Sequence, residues 1–218
     1  MGLNCPSGDC TKISKYLVNK ADPADLENPQ VADDKPLIGL VSAFHSASDT
    51  ALQAEVGKFV DWDNLLGVYA TELVAGDMDG LLGAGTNLHL QDPSSGLLHV
   101  VRGGADAAFA TAIDPSKPSN QAVSQCSARV DAAYARIWAH PALRKALLAK
   151  VRALLCGAFA KDAIADYFAK YRSAMEAESA GDPKLAAGLT GAAATFTQIT
   201  EFVYARHTAL APLLESCQ

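Results

Sequence analysis

The sequence predicts an all-α protein, and three observations carry that expectation. Half of the 218 residues are hydrophobic but only 7% are aromatic. Alanine therefore supplies much of the apolar content, which suits helices packed at close range. Apolar residues recur at three- and four-residue spacing in several segments, and no strand-like alternation persists. The periodic segments add up to about seven or eight helices.

Residues 1–35 hold Pro6, Pro23 and Pro29 and are expected to form a loosely ordered arm, with one helix around Thr11–Asn19. Residues 36–218 are expected to form a single domain. Pro36, at the favoured first position behind Asp33 and Asp34, opens a helix whose stripe is Leu37, Leu40, Val41 and Phe44. A second helix is predicted from Thr50 to Val74, with Leu52, Val56, Phe59, Val60, Leu65, Leu66, Tyr69 and Leu73 on its apolar side. Gly76–Asp79 is a turn and Gly80–Leu88 a short Gly-rich segment. Asp92-Pro93-Ser94-Ser95-Gly96 breaks the chain before a helix from Leu97 to about Ala112. After the loop Asp114–Ser119, a long helix runs from about Asn120 to Cys156, with Pro141 as a kink. Lys161–Glu178, Pro183–Ala187 with the alanine-rich stretch after it, and Thr195–Leu210 complete the set.

Charge and termini narrow the function. A net charge of −6 argues against nucleic acid, which needs a basic face to neutralise its phosphates. No apolar run approaches the ~20 residues that span a bilayer. The start, Met1 to Cys10, lacks the basic-then-apolar layout of a signal peptide, and Pro6 stands where a myristoylation signal has Ser or Thr. Five cysteines leave at least one thiol unpaired. Reduced thiols in the cytosol are expected, with a Cys5–Cys10 bridge as the alternative in an exported chain.

The catalytic inventory is thin: no phosphate-binding loop, no HExxH pair, no CxxC and no GxSxG. No metal site, no cofactor and no chemical step are expected. Three constellations stand out. The first is Phe59-Val60-Asp61-Trp62-Asp63-Asn64, in which two carboxylates and an amide interrupt an apolar stripe. The second is Leu98-His99-Val100-Val101-Arg102, where His99 and Arg102 are three residues apart and on a helix would share a face. The third sets His140 beside Tyr134, Arg136, Trp138 and Pro141. A lone histidine on an apolar helix needs a hydrogen-bonding partner or a ligand.

In order and separation these runs resemble the glycolipid transfer protein superfamily. The resemblance begins at Lys35-Pro36-Leu37-Ile38-Gly39-Leu40 with Asp49. It continues through Phe59-Val60-Asp61-Trp62-Asp63 and Leu98-His99-Val100-Val101-Arg102-Gly103. It ends with Ala133-Tyr134, His140-Pro141 and Arg144-Lys145. It implies a two-layer helical sandwich that carries a sphingolipid-type lipid between membranes. Asp63 would accept from the head group or sphingoid amide, with Asp61 and Asn64 beside it, and His140 would bond the lipid amide carbonyl. His99 and Arg102 would orient the head group. Trp62 and Trp138 are the candidates for transient docking at a membrane surface, by a cytoplasmic monomer. The alternative is a degenerate helical scaffold or interaction subunit without lipid transfer.

Overall fold

The structure, a computed structural model, describes residues 35–77, 80–82, 88–91, 96–102, 108–109, 116, 132–179 and 183–214. Residues 1–34, expected to form the arm, lie outside it. The described elements are α1 (Lys35–Ser46), α2 (Leu52–Val56), α3 (Trp62–Ala75), β1 (Leu88–Gln91), β2 (His99–Arg102), α4 (Ala132–Ala139), α5 (Pro141–Leu155), α6 (Lys161–Ser179) and α7 (Pro183–Leu210). A 3₁₀ turn, Ala211–Leu213, follows. The class is all-α as expected, with one two-stranded antiparallel ribbon added, in register Leu88 opposite Arg102 and Gln91 opposite His99.

Four boundaries differ from expectation. The helix predicted over residues 50–74 is two. α2 stops at Gly57, and Asp61 restarts the helix as an N-cap, its carboxylate accepting from the Asp63 and Asn64 backbone N–H groups. The helix predicted from Leu97 is instead β2. Its side chains alternate, with Val100 buried and Val101 42% exposed, the period of a half-buried strand, and Leu98 just before it is buried as well. The long helix through Pro141 is broken one residue earlier. His140 takes an extended conformation and caps α5, whose first residue is Pro141; residues 120–131 lie outside the described set. The last two predicted helices merge into α7.

α3 is the centre of the fold. It packs on α5 and also meets β2 and α7, while α4 packs on α1 and α5. On α5 the buried residues Leu143, Leu147, Val151 and Leu155 recur every fourth position, one face of a helix. They meet a core that includes Leu65, Leu66, Tyr69 and Leu73 of α3, Leu40 and Phe44 of α1, and Leu210 of α7. α6 lies on α7, where Phe168 stacks on Phe196 at 5.0 Å between centroids. Arg136 of α4 ties α1 down by donating to the Phe44 and Ala47 carbonyls and pairing with Asp49.

Gly76 ends α3 in the left-handed region, φ 60°, where a side chain would be strained and would also run into the Phe202 ring. Beyond it lies a buried group of charges. Glu72 and Asp77 are 1% and 3% exposed. The Arg102 guanidinium reaches both, bonding the Asp77 carboxylate and lying 3.7 Å from Glu72 Oε1, while Glu72 Oε2 accepts from the Leu82 N–H. Arg206 of α7 is fully buried. Burial pushes the Tyr134 hydroxyl well above its ordinary titration range, with the Arg206 charge pulling the other way.

Cys156, at the end of α5, is disulfide-bonded. This corrects the expectation of reduced thiols; the other four cysteines, Cys5, Cys10, Cys126 and Cys217, lie outside the described residues. Among the described residues no helix is long and apolar enough to cross a membrane.

Arg102 is the cation that two buried carboxylates share. Arg102→Met is expected to lower unfolding free energy by about 3 kcal/mol, because removing one partner of a buried pair leaves the other's charge poorly compensated. Chemical denaturation checks it; a change below ~1 kcal/mol would show that this network carries little stability.

Candidate functional site

The first turn of α3 and the strand β2 bring together residues from two of the sequence motifs. They are held by a set of alternating contacts. Leu98 N–H donates to the Phe59 carbonyl at 2.8 Å, and Asp61 N–H donates to the Leu98 carbonyl at 3.1 Å. Two residues on, the Asn64 side chain completes both backbone bonds of Val100, donating from Nδ2 to its carbonyl at 3.1 Å and accepting its N–H at 2.7 Å. Arg102, two residues further, turns inward to Asp77 and Glu72. Because Leu98, Val100 and Arg102 share the inner side, His99 emerges on the other.

There His99 Nε2 lies 3.3 Å from Asp61 Oδ2, each side chain about a third exposed, 35% and 34%. Asp61 divides its carboxylate: Oδ1 takes the N-cap bonds at 2.8 and 3.4 Å and Oδ2 faces the imidazole. The facing arrangement makes Nε2 the donor. Two residues after the cap, the Asp63 side chain is 87% exposed and its Oδ1 accepts from Lys150 Nζ of α5 at 2.6 Å. The site therefore joins an imidazole–carboxylate pair to an adjacent ammonium–carboxylate pair at the positive end of a helix.

Sequence reasoning named Asp61, Asp63, Asn64 and His99, and the structure gathers these four at one junction. Arg102 is on the same strand but faces the buried carboxylates. His140 is elsewhere: its Nδ1 accepts from the Leu143 N–H at 3.4 Å. Ten residues of α5, roughly 15 Å of helix, separate it from Lys150, the partner of Asp63. Its imidazole is half-buried, and its partner is a helix terminus. Lys150 was missed in the sequence, since nothing local distinguishes it from the other cations of α5. Glu72 had a signal: it follows Tyr69 by three residues and precedes Leu73, so the stripe already placed it inward.

Over residues 11–210 the sequence matches the family described as CotH kinase protein. The chain belongs to the CotH kinase protein family. No curated protein and no solved structure matches it. Membership in the CotH family overturns the resemblance to the glycolipid transfer proteins, and with it the sphingolipid cargo, the membrane docking and the amide clamp. The degenerate-scaffold alternative gains no support from the match either. Both tryptophans are packed inward: Trp62 Nε1 donates to the Gln53 carbonyl at 2.9 Å and its ring meets Phe44, while Trp138 lies on Tyr134. The CotH description names a kinase, so the expectation of a protein without a chemical step gives way to the proposal below.

Asn64 works because an amide both donates and accepts. Asn64→Asp keeps the shape but cannot donate to the Val100 carbonyl, and is expected to cost about 2 kcal/mol. For a chain of this length that lowers Tm by about 4–8 °C. An unchanged melting curve would show that β2 is held by its other contacts alone.

Proposed function

We propose that this protein transfers a phosphoryl group from a nucleoside triphosphate to a hydroxyl acceptor at the junction of α3 and β2. The observation that carries this reading is the CotH kinase match over nearly the whole chain. The side chains at the junction fit the chemistry. Phosphoryl transfer asks a protein mainly for a carboxylate to take the acceptor's proton, positive charge on the phosphates, and positioning.

In this reading the acceptor hydroxyl donates to Asp61 Oδ2. Its oxygen bonds to the terminal phosphorus, the bond from that phosphorus to the bridging oxygen breaks, the proton passes to Asp61, and the nucleoside diphosphate leaves. His99 steadies the same carboxylate oxygen from the side. Lys150 is free to serve the phosphates because its present partner is so exposed: an ion pair in water holds its members by only ~0–1 kcal/mol. Among the described residues no group of three or more metal-ligating side chains gathers. Magnesium on a nucleotide takes only one or two protein carboxylates, with phosphate oxygens and water supplying the rest. Asp63 is the exposed carboxylate beside Lys150 that suits this. A metal ion there would neutralise phosphate charge.

Asp61→Asn separates chemistry from folding, because asparagine is as good an N-cap as aspartate. The variant is expected to melt near the wild type while losing about 10²–10⁴-fold in transfer rate, the usual worth of a positioned base. The measurement is transfer of label from γ-labelled ATP, with magnesium, to the protein itself and to a general protein acceptor. No transfer by the wild type sinks the proposal; equal rates in the two proteins remove Asp61 from it.

A further inference from the structure

Gly67 stands inside α3, where glycine is a poorer helix former than any ordinary residue except proline. Other glycines of this fold have a structural reason visible around them. Gly76 has a positive φ, and a side chain at Gly39, Gly76 or Gly80 would collide with Phe59, Phe202 or Glu72. Gly67 has neither reason. It lies in mid-helix, and a methyl group on it would meet no atom within 4 Å among the described residues. A glycine that weakens its own helix, with room for a side chain, suits a place where something from outside approaches the backbone.

Its neighbours indicate what that something is. Gly67 follows Asp63 by four residues and Asn64 by three, so it lies on the same helix face one turn along. Asp63 marks where Lys150 reaches α3 from α5. Thr71, one turn further, bends its hydroxyl back to the Gly67 carbonyl at 3.0 Å and so keeps that stretch of surface low. The bare patch lies one helical turn from Asp63, the carboxylate that holds the cation proposed to meet phosphate.

We infer that Gly67 is a specificity-determining residue, keeping the surface of α3 one turn from the Asp63–Lys150 pair open for a phosphate-bearing ligand. The inference rests on the proposed phosphoryl-transfer reading. A methyl at position 67 would fill the approach without touching any of the described residues. The same substitution removes a weak helix former, so stability and binding should move in opposite directions.

The test compares the wild type with Gly67→Ala in thermal melting and in calorimetric binding of ATP with magnesium. The expected result is a Tm raised by about 2–4 °C together with at least tenfold weaker ATP binding. Equal ATP binding overturns the inference and leaves the proposed function standing. A lowered Tm also overturns it, because the glycine would then serve the fold. If the wild type binds no ATP, both the proposed function and this inference fall.

Discussion

The junction between α3 and β2 is the constraint on which the rest of the structure depends. A ribbon of two four-residue strands cannot hold itself in place, since short ribbons are marginal in water. Here every second residue of the strand region is met by the chain around α3: Leu98 by residues 59–61, Val100 by Asn64, Arg102 by Asp77 and Glu72. The partners lie in sequence order along both segments, so one alignment satisfies all three. The Asn64 bonds join residues separated by 36 positions. Closing that loop costs entropy, and the buried charges at one end and apolar side chains at the other offset it. With the strand fixed, α3 packs on α5 and brings its C-terminal turn to Phe202 of α7.

Much of the helical frame was legible because its signals are local. α1 begins at Lys35, one residue before the expected Pro36, α6 begins at Lys161 as expected, and the spacing of Leu143, Leu147 and Val151 in α5 needs only the period of a helix. β2 was misread because Leu97-Leu98-His99-Val100-Val101 is too short for periodicity to separate strand from helix. What decides the matter is tertiary: a side-chain amide on α3 supplies the missing backbone partners of Val100. The division of residues 50–74 is local instead. Asp61 was noticed as a candidate ligand, whereas its carboxylate also carries out the local work of starting a helix.

The site shows where sequence reasoning gains and loses. Asp61, Asp63 and Asn64 were singled out because polar groups interrupting an apolar run require partners, and His99 for its three-residue spacing from Arg102. They converge on each other. His140 was chosen by the same rule, and its partner is the N–H of Leu143. The rule finds residues with a constraint; it does not say whether a ligand or the backbone meets it. The family resemblance failed for a related reason. Its motifs were short runs of common residues in a plausible order, whereas the CotH match spans residues 11–210 as a whole.

The contacts around Val100 have one more consequence. A ribbon of two strands has an outer border of backbone donors and acceptors, and an exposed border of that kind recruits strands from other molecules. On β2 that border is taken up by residues 59–61 opposite Leu98 and by the Asn64 amide opposite Val100. A foreign strand finds those two groups occupied, and a carboxamide on a helix protects them from intermolecular β-pairing.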